Sequence, residues 1–135
     1  TRRFYSVGEH SYWVSTFSIA SDALVGLLHD AAEAYISDLV RPLKHSPSMV
    51  KFREIEATIN KVIAKALRLT SIEKTSSVED ADNYLLGIEV RDLMSNPGDY
   101  RIPIPTEHEG WLDHPWGPEV AERNFLRRYK ELTNV

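Results

Sequence analysis

Apolar residues recur along most of this chain at the three- and four-residue spacing of amphipathic helices, and almost nowhere in the alternating pattern of a strand. From Val7 to Ile19 the apolar face is Trp13, Val14 and Phe17, and His10 lies on that same face. Ser21-Asp22 caps a second helix that the pattern carries from Ala23 to Ser37. Ser46-Pro47 reads as an N-cap followed by proline at the first helical position. It opens a helix striped by Phe52, Ile55, Ile59, Val62, Ile63 and Leu67. Val78 to Met94 is a further helix, stopped by Asn96-Pro97-Gly98. Pro118 to Leu132 closes the chain with Val120, Phe125, Leu126, Tyr129 and Leu132 on one face. Asp38 to Lys44 and Leu69 to Ser77 read as connectors, and Tyr100 to Gly117 as a proline-rich irregular stretch. The pattern predicts an all-α fold, a single compact domain over residues 1–135 with about five to seven helices.

Two of these helices break their own pattern. The second carries no polar side chain from Ala23 to Leu28, and Ala31, Ala32, Ala34, Tyr35 and Ile36 continue it, yet His29, Asp30 and Glu33 fall inside. A helix apolar on nearly all sides is a buried one, and a buried imidazole beside a buried carboxylate is costly unless compensated. A divalent metal compensates both at once by taking them as ligands. In the Val78–Met94 helix, positions 78, 82, 85, 86, 89 and 93 share a face and read Val, Asp, Leu, Leu, Glu, Leu. Asp82 therefore points inward, whereas Asp80, about 200° away around the helix, is expected in solvent.

Three helices thus direct His10, His29, Asp30 and Asp82 toward the core. Two histidines and two aspartates form a mixed N/O set that suits divalent Mn, Fe, Co, Ni or Zn, and less well Mg or Ca. Glu33, one helical turn beyond His29, is placed to act as general base on a water or general acid on a leaving oxygen. Taken singly, His10 reads as a core histidine, and Asp82 as a partner of Arg91 or Lys74. Their joint occurrence with His29, Asp30 and Glu33 favours a metal site. Glu89, facing the core beside Asp82, would orient a ligand or pair with Arg91.

Composition narrows the function classes. The hydrophobic fraction of 42% and charged fraction of 27% are those of an ordinary globular protein. A net charge of −4 with no basic run argues against coating a nucleic-acid polymer. The absence of cysteine removes thiolate chemistry and Cys-type zinc sites, and is compatible with a cytoplasmic location. No apolar run approaches the roughly 20 residues of a membrane span, and no signal peptide is visible. The chain opens with Thr1-Arg2-Arg3 rather than Met, which leaves room for residues upstream.

The segments around these residues resemble a known family. His10, His29-Asp30 and Asp82 follow the H…HD…D order of the HD-domain metal-dependent phosphohydrolase superfamily. Tyr5-Ser6-Val7-Gly8-Glu9-His10-Ser11 is similar to the S-V-x-E-H-S entry of its 5′-deoxynucleotidase-like branch. Leu28 to Glu33, Ser37-Asp38-Leu39 and Arg41-Pro42-Leu43-Lys44 resemble that branch's H-D-x-x-E, G-D-x and P-x-K run, with Ser37 standing where glycine is usual. Ala81-Asp82, Leu85-Leu86 and Glu89 are similar to its last ligand helix, so the resemblance spans about Arg3 to Met94.

The resemblance implies a helical, often homodimeric hydrolase of (deoxy)nucleotides. It implies one divalent metal, Co, Mn or Zn first, held by His10, His29, Asp30 and Asp82, with Glu33 assisting the water or leaving group. Asp38 would lie by the sugar and favour a 2′-deoxynucleotide through its 3′-hydroxyl. The family's Arg-Trp substrate contacts lie upstream of the residues present here. The reading is a 5′-deoxynucleotidase releasing phosphate from a dNMP. The alternatives are a triphosphohydrolase of dNTPs of the dATP type and a non-catalytic nucleotide-binding protein.

A phosphate requires cations or backbone N–H groups. Arg3 and Lys44, flanking the metal residues, are the candidates; Arg2, Arg41 and His45 read as solvated surface. The run Glu107 to His114 is rich in potential ligands but lacks a regular frame, so Trp111 and Trp116 are expected to pin this loop to the helices. Stacking of a nucleobase on them is the other use open to these rings.

Overall fold

In the computed structural model, which describes residues 3–37 and 41–134, every regular element is helical. The helices are α1 (Val7–Phe17), α2 (Ala23–Leu28), α3 (Glu33–Ile36), α4 (Arg41–Lys44), α5 (Val50–Ala66), α6 (Ser76–Leu93) and α7 (Pro118–Thr133). Single 3₁₀ turns stand at Ala20–Asp22, Pro47–Met49 and Pro97–Asp99. The fold is all-α, with no strand among the described residues. No helix there is long and apolar enough to cross a membrane. The chain divides into two units, residues 1–27 with 74–135, and residues 28–73.

In the first unit α1 packs against α6 and α7. Ser6 starts α1 by accepting the Glu9 amide on its Oγ at 3.0 Å. The Ser6–Glu9 spacing is that of a capping box, but the Glu9 side chain turns elsewhere. Its buried carboxylate accepts Trp13 Nε1–H at 3.0 Å and the Trp116 backbone N–H at 2.7 Å, which ties the entry of α7 to α1. Thr75 caps α6 through the Val78 amide, and its hydroxyl donates to Asp22 Oδ2 at 2.8 Å. Val14, Val78, Ala81, Leu85, Ile88, Leu93 and Leu112 form the core, ringed by Tyr5, Trp13, Phe17, Val25 and Tyr84. Each such side chain contributes about 1.5–3 kcal/mol on full burial.

The proline-rich stretch has no helix between residues 100 and 117, yet it is tightly held. The Arg91 guanidinium donates to the carbonyls of Pro105, Glu107 and His108, and Asp92 accepts the Leu112 amide. Trp111 packs edge-on against Trp13 and His108, and Trp116 edge-on against Tyr12. The rings therefore pin the loop, as the sequence suggests. Gly87 lets this loop approach α6: a Cβ there would stand 2.6 Å from Pro103 O and from Pro105 Cδ.

The second unit departs from the sequence reading in two places. The helix expected from Ala23 to Ser37 stops at Leu28 and resumes only for the single turn of α3. Between them the chain tightens to i→i−3 bonding, with Ala31 N–H to Leu28 O at 3.0 Å and Glu33 N–H to Asp30 O at 3.0 Å. Residues three apart eclipse in such a turn. His29 and Ala32 accordingly share the buried side, and Asp30 and Glu33 are partly buried. The segment read as an open connector contains α4, whose Lys44 pairs with Glu56 of α5 at 2.9 Å. Arg53 adds hydrogen bonds to the carbonyls of Lys44 and Ser46.

On α5 the expected stripe is only half covered: Phe52, Ile59 and Ile63 are partly buried, while Ile55 and Val62 are 53% and 63% exposed. The helix ends in a Schellman-type turn. Arg68 is left-handed, the Leu69 amide reaches Ala64 O at 2.8 Å, and the Arg68 amide reaches Lys65 O at 3.1 Å.

Gly87→Ala should lower stability by about 1–3 kcal/mol, because either the loop or α6 must shift. Urea unfolding of the variant checks this, and an unchanged midpoint would refute the close approach.

Candidate metal centre

His10, one turn into α1, meets two carboxylates of α6. Its Nε2 lies 3.1 Å from Asp82 Oδ1 and its Nδ1 lies 2.7 Å from Glu89 Oε2. The same Glu89 oxygen accepts the Tyr5 hydroxyl at 2.6 Å. Asp82 Oδ2 accepts from Lys74 Nζ at 2.6 Å. Asp82 and Glu89 are seven residues apart, two turns of α6, so both reach the same side of α1. Asp82 is buried and Asp80 exposed, as the helical phase predicts.

These contacts set the protonation states. Burial alone would raise the Asp82 carboxyl, but the bond and charge of His10, followed by those of Lys74, hold it well below the usual carboxylate range. Burial, reinforced by the charge of Glu89, drives the Tyr5 phenol far above its ordinary value, so it remains a donor. With Nδ1–H donated to Glu89, the remaining nitrogen of His10 faces Asp82. This is how an imidazole ligand is oriented by an outer carboxylate. Glu89 thus orients His10, and Arg91 pairs with its neighbour Asp92 at 2.7 Å instead.

In the second unit His29 Nε2 lies 3.1 Å from Asp30 Oδ2. The His29 side chain is fully enclosed, and Asp30 is partly exposed. Both sit in the tight turn after α2, and Glu33 opens α3 immediately beyond them. The four expected metal ligands therefore come as two His–Asp pairs, one in each unit.

The remaining candidates are distributed as follows. Arg3 borders a cleft of about 320 Å³ shared with Phe4, His114, Trp116 and Pro118. Lys44 is engaged by Glu56. Asp38 lies outside the described residues. Tyr5 escapes the sequence reading because nothing in a periodicity shows that a residue before a helix will reach across to α6.

A protein of Escherichia coli (strain K12), described as the uncharacterized protein YfdR, is 34% identical over 137 aligned positions, covering 98% of this chain and 74% of that protein. The chain belongs to the YfdR family. No family model matches it, and no solved structure matches it.

Within this YfdR-family chain the Asp82 environment makes a pH prediction. A carboxyl whose folded value is depressed stabilises the fold above its unfolded value, near 3.8, and that contribution is lost as pH falls through the folded value. Asp82→Asn should therefore flatten the acid limb of the melting temperature measured against pH in chelator-treated buffer. Parallel limbs for the two proteins would contradict the pairing.

Proposed function

We propose that this chain is a metal-dependent phosphohydrolase of the HD-domain type acting on (deoxy)nucleotides, and that it releases orthophosphate from deoxynucleoside monophosphates. The observation that carries the reading is the repeated 3.1 Å separation of an imidazole nitrogen and an aspartate oxygen, at His10–Asp82 and at His29–Asp30. Two donors bound at right angles to one metal through bonds of about 2.1 Å stand about 3.0 Å apart. Each pair offers one imidazole nitrogen and one carboxylate oxygen at a spacing compatible with ligation, and His10 is oriented by Glu89; these donors suit a divalent transition metal such as Co, Mn or Zn.

When bound, the metal supplies Lewis acidity toward a phosphoryl oxygen and lowers the pKa of a water. The chain's own residues do the rest. Glu89 and Tyr5 hold His10 in one orientation. Glu33, beside the His29–Asp30 pair, moves the proton to or from the reacting oxygens. Asp38 discriminates for the deoxynucleotide through its 3′-hydroxyl. Arg3 contributes charge toward the phosphate. Lys44 can do so only by exchanging Glu56 for the substrate.

A dNTP triphosphohydrolase built on the same residues is the second reading, because the metal set is indifferent to the number of phosphates. A homodimer located in the cytoplasm completes the proposal.

The test incubates Co²⁺- or Mn²⁺-loaded protein with dAMP and with dATP and identifies the products by mass. Orthophosphate from dAMP supports the nucleotidase, and tripolyphosphate from dATP the triphosphohydrolase. Turnover of no nucleotide by the metal-loaded protein would refute the enzyme reading. Asp30→Ala should lose metal and activity together, whereas Glu33→Ala should keep the metal and lose activity by about 100-fold or more. Retained activity in Asp30→Ala would refute the mechanism.

A further inference from the structure

The Asp82 carboxylate is shared between two kinds of partner. Oδ1 faces His10 Nε2, and Oδ2 holds the Lys74 ammonium at 2.6 Å. Lys74 comes from the connector just ahead of the Thr75 cap, and its side chain reaches along the first turns of α6 to Asp82. That side chain is 38% exposed, against 8% for Asp82, so it approaches from the solvent side and has somewhere to go. The carboxylate is thus a cation-binding group whose lysine occupant is partly exposed to solvent, while its histidine neighbour is held by Glu89, which Tyr5 also bonds.

A second cation on Asp82 changes this balance. A divalent ion taking His10 and Asp82 would withdraw negative charge from Oδ2 and repel an ammonium a few ångströms away. The ammonium then gains most by binding an anion beside the ion. Of the two cations expected to meet a phosphate, Lys44 is engaged by Glu56 in the second unit and Arg3 borders a cleft with Trp116, whereas Lys74, which was not among them, is bonded directly to a residue of the candidate centre.

Resting on the metal reading given above, we propose that Lys74 is an exchangeable cation of this centre. It neutralises Asp82 when no metal is bound, competes with the metal for that carboxylate, and passes to a phosphoryl oxygen of the substrate once the metal has taken Asp82. The inference adds a phosphate-binding residue and explains why a long, half-exposed lysine is directed at a buried aspartate.

The test compares the full chain with Lys74→Met, which keeps the unbranched stem and removes the charge, and with Lys74→Arg, which keeps it. Calorimetric titration with Co²⁺ alone should show the Met variant binding about tenfold more tightly than wild type, since the Lys74 ammonium no longer competes for Asp82. Inorganic phosphate titrated into the Co²⁺-loaded proteins should bind about tenfold more weakly to the Met variant and near wild-type strength to the Arg variant. Unfolding without metal should find the Met variant less stable, with Co²⁺ raising its melting temperature more than it raises that of wild type. Equal or weaker Co²⁺ binding by a folded Met variant, or unchanged phosphate binding, would overturn the role of Lys74 while leaving the metal centre standing. No Co²⁺ binding by wild type would instead overturn the metal centre itself and this inference with it.

Discussion

The His10 imidazole is held at both nitrogens by carboxylates two turns apart on one helix, and much of the first unit is arranged so that this can happen. A partly buried histidine between two buried acids is unfavourable unless their polar atoms find partners. Here Tyr5 donates to Glu89 and Lys74 to Asp82. The contact requires α1 and α6 to sit at one relative height. The core from Val14 to Leu85 and Ile88 fixes that height with apolar packing. Asp22, Thr75 and Ser77 fix it with hydrogen bonds at the start of α6. Packing brings the helices together, and the polar network selects their register.

The same logic accounts for the proline-rich stretch. It lacks regular structure, so its backbone groups need partners from elsewhere. Arg91 and Asp92, at the end of α6, provide them, and Gly87 removes the side chain that would keep the loop away. Glu9, adjacent to His10 in sequence, performs a parallel task for the entry to α7 through Trp13 and Trp116. Residues next to the candidate centre in sequence therefore serve the scaffold, while the centre is assembled from the neighbouring face of the same helix.

Long, strongly periodic segments were legible in the sequence, because burial on one helical face leaves a repeat of 3.6 residues. The all-α fold and the choice of Asp82 over Asp80 both follow from that repeat. The break after Leu28 was not legible, since a local tightening to i→i−3 bonding conserves composition and shifts only the phase. It bears on the candidate site, because His29 and Asp30 fall in the tightened turn and Glu33 opens the short helix after it. The pairing of Lys44 with Glu56 and the reach of Tyr5 to Glu89 were hidden for another reason. They are contacts between residues distant in sequence, and no spacing rule encodes them.

The proposal on which the functional reading rests is that His10, His29, Asp30 and Asp82 bind one divalent ion. X-ray absorption of the cobalt-loaded full chain, combined with elemental analysis, tests it most directly. The account predicts one cobalt per chain and a shell of nitrogen and oxygen atoms containing two imidazoles, contributed by His10 and His29. A shell with one imidazole or none, or two cobalt ions per chain, would contradict it.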